Sequence, residues 1–128
     1  MARILVIDDE EPVRSIIKRG LEHHGHEVVE AEDGAEGTRV FEASPFDLVI
    51  TDLIMPEKEG IETILDLKES HPDVRILVIS GGLSFGGRAV DRQGPLADAE
   101  ALGADASLAK PFDIKNLIEV VDGLLTRP

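Results

Sequence analysis

Short apolar runs rich in Val and Ile alternate along this chain with stretches in which apolar residues recur at every third or fourth position. Arg3-Ile4-Leu5-Val6-Ile7 and Leu48-Val49-Ile50-Thr51 are too short and too continuously apolar for amphipathic helices, and they read as parallel strands buried on both faces. Val13, Ile16, Ile17 and Leu21 fall on one stripe of a helix, as do Ile114, Leu117, Ile118, Val121 and Leu125, and each stripe can cover a sheet face. The periodicity predicts strands at about 3–8, 27–31, 47–51, 74–79 and 105–109, and helices at about 12–24, 34–43, 60–70, 95–102 and 113–125. Punctuation agrees. Pro12 suits a first helical turn, Asp33 and Asp113 suit caps, Gly25 and Gly103 suit left-handed helix stops, and Pro45 and Pro72 prevent continuation. Strand and helix in regular alternation imply an α/β domain, its parallel sheet covered on both faces and its crossovers right-handed.

That pattern gives the carboxylates their meaning. Asp8 and Asp9 follow the first strand and Asp52 follows the third, so all three belong to the carboxyl edge of one sheet, where open α/β sheets bind their ligands. Carboxylates gathered at one edge repel one another unless a hard cation or a protein cation neutralises them. Lys110, after the fifth apolar run, can reach the same edge. The cluster points to a magnesium site with one reactive aspartate.

At 128 residues the chain is expected to form one domain, 1–128, with enough length to bury a real core. Having no cysteine, it has no disulfide framework, thiol nucleophile or thiolate metal site, which agrees with a reducing compartment. A formal net charge of -13 opposes direct nucleic-acid binding, which needs clustered Lys and Arg. No apolar run approaches a membrane span, and Met1-Ala2-Arg3 leads straight into the first strand. The expectation is a cytoplasmic chain that starts at or near Met1 and has no membrane partner. His23, His24 and His26 read as exposed residues at a helix end, and Phe41, Phe46 and Phe112 as core or core-edge packing.

One stretch breaks the regularity. Gly81-Gly82-Leu83-Ser84-Phe85-Gly86-Gly87 holds four glycines in seven residues, which predicts a mobile surface loop, long for an α/β domain. No Gly-Lys-Ser/Thr follows, so it is not a phosphate-cradling P-loop.

Asp52 is followed by Leu53-Ile54-Met55-Pro56 and then Gly60, which resembles the Asp-x-x-Met-Pro-x-x-x-Gly signature of the receiver domains of two-component response regulators. Asp8-Asp9 after the first strand, Ser80 ending the fourth, and Lys110-Pro111-Phe112 after the fifth extend the resemblance over essentially the whole chain. It implies a flavodoxin-like, doubly wound five-stranded sheet in the order 2-1-3-4-5 with five helices. It also implies a phosphorelay signalling protein rather than a turnover enzyme. Asp52 would accept a phosphoryl group from a sensor histidine kinase or histidine phosphotransfer protein, and the signal would pass to a downstream protein target. The implied magnesium ligands are Asp9, Asp52 and the backbone carbonyl of Ile54, with Asp8 acting mostly through water. Lys110 would pair with Asp52 and then with a phosphoryl oxygen, and Ser80 would donate to another.

The departures from the family pattern lie on its usual output face. Ser107 stands three residues before Lys110, where the family usually carries a Tyr or Phe that turns inward, and the stretch from Ser80 to Lys110 is longer than in a typical receiver. Other classes fit less well. A haloacid-type hydrolase needs a second Asp two residues after the first and a Thr two further, whereas this chain reads Asp8-Asp9-Glu10-Glu11-Pro12. A flavin binder needs a phosphate loop after the first strand and a stacking Trp or Tyr, and this chain has neither aromatic. The remaining alternative is a pseudo-receiver, a phosphorylation-independent interaction module. Against it, Asp8, Asp9, Asp52, Ser80 and Lys110 fill every reactive position.

Overall fold

Ile4, Leu5, Val6 and Ile7 are all completely buried, which a strand with one solvated face would not allow. In the computed structural model, which describes residues 2–52, 60–81, 84–85, 88–89, 103–110 and 112–126, they belong to β1 (Arg3–Ile7). The chain continues through α1 (Glu11–His23), β2 (Glu27–Ala31), α2 (Gly34–Ala43), β3 (Leu48–Asp52), α3 (Gly60–Ser70) and β4 (Arg75–Gly81). After β4 come β5 (Ser84–Phe85), β6 (Arg88–Ala89), β7 (Ala106–Lys110) and α4 (Ile114–Leu125). Five strands form one parallel sheet in the order β2-β1-β3-β4-β7, which is the predicted 2-1-3-4-5 arrangement. Four helices lie among the described residues; the predicted helix 95–102 falls outside them.

Alternation along the strands divides the core in two. Leu5, Ile7, Val49, Ile76 and Val78 face Phe41 of α2 and Ile64 and Leu67 of α3. Ile4, Val6, Leu48, Ile50, Leu77 and Ile79 face Ile17 and Leu21 of α1 and Leu117, Val121 and Leu124 of α4. Each such fully buried aliphatic side chain stabilises the fold by roughly 1.5–3 kcal/mol. On α2, a Cβ at Gly37 would run into the Ile7 side chain, so the glycine lets this helix pack closely on β1. Gly25 and Gly103 have φ of +88° and +130°, as their reading as left-handed stops requires. Asp33 and Asp113 cap α2 and α4 by accepting from the backbone N–H groups of Glu36 and Lys115.

Three expectations change. Ile16, expected on the buried stripe of α1, is 56% exposed, and Arg14 takes its place beside Ile17 and Leu21. Positions 14, 17 and 21 lie on one helical line, whereas 16 is turned about 100° from 17 toward the rim. His23 and His24 are exposed, but the His26 side chain is only 10% exposed, and its Nδ1 accepts from the Ala2 N–H at 3.2 Å. Within the glycine-rich stretch, β5 and β6 pair antiparallel, Ser84 opposite Ala89 and Phe85 opposite Arg88. Gly86-Gly87 separates them in sequence, a dipeptide favoured in two-residue hairpin turns.

The amino end of the sheet is closed by polar brackets. Lys68 Nζ donates to the Val74 carbonyl at 2.6 Å and to Asp105 Oδ2 at 3.2 Å, and the same Asp105 oxygen accepts from Ile76 N at 2.8 Å. Asp105 N returns a bond to the Ile76 carbonyl at 2.8 Å, so the starts of β4 and β7 are tied to each other and to the end of α3. Among the described residues, no helix is long and apolar enough to cross a membrane.

Candidate functional site

Strand register decides which residues meet at the carboxyl edge. Ile7 pairs with Thr51, so Asp8 and Asp52 each stand one step beyond the last rung between β1 and β3, and Asp52 is itself paired with Ile79 of β4. Ser80 pairs with Ala109 and Gly81 with Lys110, which brings the backbones of Ser80 and Lys110 to the same edge. Of those two residues only the backbone is described, and Ile54 lies outside the described residues. Ser107 sits on β7 opposite Val78, half-buried.

The structure brings together four carboxylates. Asp8, Asp9, Glu10 and Asp52 each offer an oxygen, and these oxygens all lie within 4.8 Å of one another. Asp8 is 0% exposed and Asp52 5%, while Asp9 and Glu10 are open to solvent. Asp8 is wired into its surroundings: its N–H donates to the Ala31 carbonyl at 3.2 Å, and its Oδ1 accepts from Glu10 N at 2.9 Å. The Thr51 hydroxyl, also buried, donates to the Asp52 carbonyl at 3.0 Å. Two unit charges at such a spacing repel by roughly 1 kcal/mol in water, and by several times that at the effective dielectric of a protein site. An all-oxygen, anionic donor set fits a hard cation of the magnesium or calcium kind and not a soft metal.

Two participants are not evident from the sequence pattern. Glu10 completes the cluster, and its signal is the third consecutive acid after β1. Arg14 donates through Nη1 to the Asp8 backbone carbonyl at 2.6 Å, and its signal is a charged residue on the line of Ile17 and Leu21.

Known proteins resemble this chain along almost all of its length. The chain matches the response regulator receiver domain over residues 4–122. It is 31% identical over 125 residues to the response regulator receiver protein CpdR of Brucella abortus, covering 98% of both chains. It is 35% identical over 126 residues to the DNA-binding transcriptional regulator NtrC of Azospirillum brasilense, covering 97% of this chain but 24% of that protein. It also spans about half the length of several other curated relatives. The crystal structure of a response regulator receiver domain protein from Clostridium thermocellum superposes with a TM-score of 0.86 at 30% identity, covering 99% of this chain and 96% of that one. With fold, acidic edge and sequence match in agreement along almost its full length, the chain belongs to the response regulator receiver domain family.

Proposed function

We propose that residues 1–128 act as one phosphorelay receiver domain whose phosphoacceptor is Asp52. The observation that carries this reading is the gathering of Asp8, Asp9 and Asp52 at the carboxyl edge, with Asp52 almost closed to solvent. In the transfer, an Asp52 carboxylate oxygen forms a bond to phosphorus as the phosphorus–nitrogen bond of a phosphohistidine breaks and its electron pair leaves with the imidazole. Little covalent chemistry is asked of the protein, so catalysis is positioning plus stabilisation of charge on the moving oxygens.

Asp9, Asp52 and the Ile54 carbonyl would hold magnesium, with Asp8 acting through water. When bound, magnesium supplies charge neutralisation between the carboxylates and the incoming phosphoryl oxygens. Lys110 would pair with Asp52 before transfer and with a phosphoryl oxygen after it, and Ser80 would donate to another oxygen. The phosphodonor is a sensor histidine kinase or histidine phosphotransfer protein, and the output is a conformational change read by a protein target. The -13 formal charge argues against direct contact with nucleic acid, and the reading is of a cytoplasmic signalling protein with no membrane partner rather than a turnover enzyme.

Intact-mass measurement with magnesium and acetyl phosphate or phosphoramidate tests the assignment. One added phosphoryl group is expected, absent in Asp52→Asn; modification that persists in that variant overturns it. The chain has no Trp, so mass or phosphate-affinity gels replace tryptophan quenching.

A further inference from the structure

Arg14 is a charged side chain in a buried place. Its side chain is 10% exposed, on the line of α1 that carries Ile17 and Leu21. Burying a guanidinium is costly unless its donors are used. Here Nη1 donates to the Asp8 carbonyl oxygen at 2.6 Å and Nε to Glu30 Oε1 at 3.3 Å. Glu30 stands beside Val6 in the β1–β2 register, and its other oxygen lies 3.7 Å from Lys18 Nζ. Arg14 is thus braced from the edge strand and applied to the chain just where the acidic cluster begins.

The Asp8 carbonyl and the Asp9 N–H belong to one planar peptide unit. A guanidinium fixed on that carbonyl therefore sets the plane from which the Asp9 backbone departs. Asp8 has further restraints in its bonds to Ala31 and Glu10, whereas Asp9 is exposed and takes its direction largely from this peptide.

We infer that Arg14 is a positioning residue for the cation site: braced by Glu30, it holds the Asp8–Asp9 peptide so that both carboxylates address the same cation. This inference rests on the reading of the cluster as a magnesium site serving Asp52. Charge and position make opposite predictions. A fixed positive charge beside the cluster repels a divalent cation, so if Arg14 acted only through its field, neutralising it would tighten magnesium binding. If it acts by positioning, neutralising it loosens binding, as loss of supporting partners around a metal site does, by roughly ten- to a hundredfold.

The test is titration of the isotope-labelled chain of residues 1–128 with magnesium chloride, following the amide NMR shifts of Asp9 and Glu10. Arg14→Gln is expected to bind magnesium roughly ten- to a hundredfold more weakly than wild type. Arg14→Lys keeps the charge but cannot span Asp8 and Glu30 with a rigid fork, so it restores affinity only in part. Glu30→Asp, which keeps the charge but shortens the brace, gives a smaller loss in the same direction and decides the matter if Arg14→Gln does not fold. In acetyl phosphate assays the magnesium concentration for half-maximal rate should rise while the rate at saturating magnesium stays near that of wild type. Wild-type or tighter affinity in Arg14→Gln, or in Glu30→Asp where it alone folds, overturns the inference. Failure of the underlying reading is seen separately, in the wild-type chain: no magnesium binding there overturns both, whereas binding without phosphorylation of Asp52 overturns only the functional reading.

Discussion

At the amino end of the sheet, Arg3 donates through Nε to Glu27 at 2.6 Å and through Nη1 to Ser44 Oγ and the Pro45 carbonyl, with its guanidinium 4.4 Å from the centre of the Phe46 ring. Lys68 meets Asp105, His71 lies 3.3 Å from Glu42, and Arg75 donates to the Leu124 carbonyl. At the carboxyl end, four carboxylates crowd within 4.8 Å. Opposite charges are matched at one end, and like charges are collected at the other. The amino end also bears an open groove of about 1040 Å³, lined by Phe41, Phe46, His71 and Arg75 among others. The groove lies where opposite charges meet, apart from the acidic cluster. The amino end serves stability, while the carboxylates crowded at the carboxyl end repel one another and offer a cation a place to bind.

The sharpest way to break this comparison is phosphorylation. Asp52→Asn should lose phosphoryl incorporation entirely in an intact-mass assay, whereas Arg3→Ala should keep it; loss in both would mean that the ends are not separable. Next in size is the magnesium response. A cation that binds only the native arrangement stabilises by about 2.7 kcal/mol at a hundred times its dissociation constant. For a domain of this size that is a rise of several degrees in melting temperature. Asp52→Asn should melt higher than wild type without magnesium and respond less to it, while Arg3→Ala should melt lower and keep the full increment. A metal-free wild type that outlasts Asp52→Asn would remove the case for stored repulsion.

A third variant works from the other end. Asp105→Ala leaves the Ile76 N–H and the Lys68 ammonium without their shared acceptor, at a cost of about 1–3 kcal/mol. Urea unfolding should register this loss while magnesium affinity stays unchanged, and altered affinity would show that the two ends communicate. The smallest effect is that of salt. Added potassium chloride screens the exposed members of the acidic cluster, so it should raise the metal-free stability of wild type over that of Glu10→Gln by a few tenths of a kcal/mol. Urea titrations of both at low and high salt measure the difference, and no difference would place Glu10 outside the repelling group.

Much of this contrast is legible in the amino-acid sequence. Continuous apolar runs such as Ile4 to Ile7 and Leu48 to Ile50 declare strands buried on both faces, and strand ends declare where Asp8, Asp9 and Asp52 must meet. Helix existence is equally clear, but helix rotation is not. Of the stripe Val13, Ile16, Ile17 and Leu21, only Ile16 turns outward, and Arg14 joins Ile17 and Leu21 on the buried line because the energy of burying it is recovered through the Asp8 carbonyl and Glu30, partners in other elements. His26 departs from its expected exposure for the same reason, since its acceptor role toward Ala2 N depends on how the turn after α1 meets β1. Glu10 joins the site because the Asp8 carboxylate binds the Glu10 N–H and folds the chain back, a local turn that a run of acids does not announce by itself. The β5–β6 pairing lies in a stretch whose glycines signal freedom and a hairpin turn with equal force.

The bracket of Lys68, Asp105 and Ile76 has a consequence for the history of such chains. It ties the start of β4 to the start of β7, and the parallel pairing from Leu77–Ala106 to Gly81–Lys110 continues that tie along the strands. The bonds of this clasp join Lys68, Val74, Ile76 and Asp105, of which only Asp105, the residue just before β7, belongs to the sequence between the two strands. Closing such a loop costs only about 0.6 kcal/mol more for each doubling of its length. Inserted residues between these strands would therefore meet little thermodynamic opposition, and lineages could lengthen, recode or exchange this segment while inheriting the acidic edge untouched.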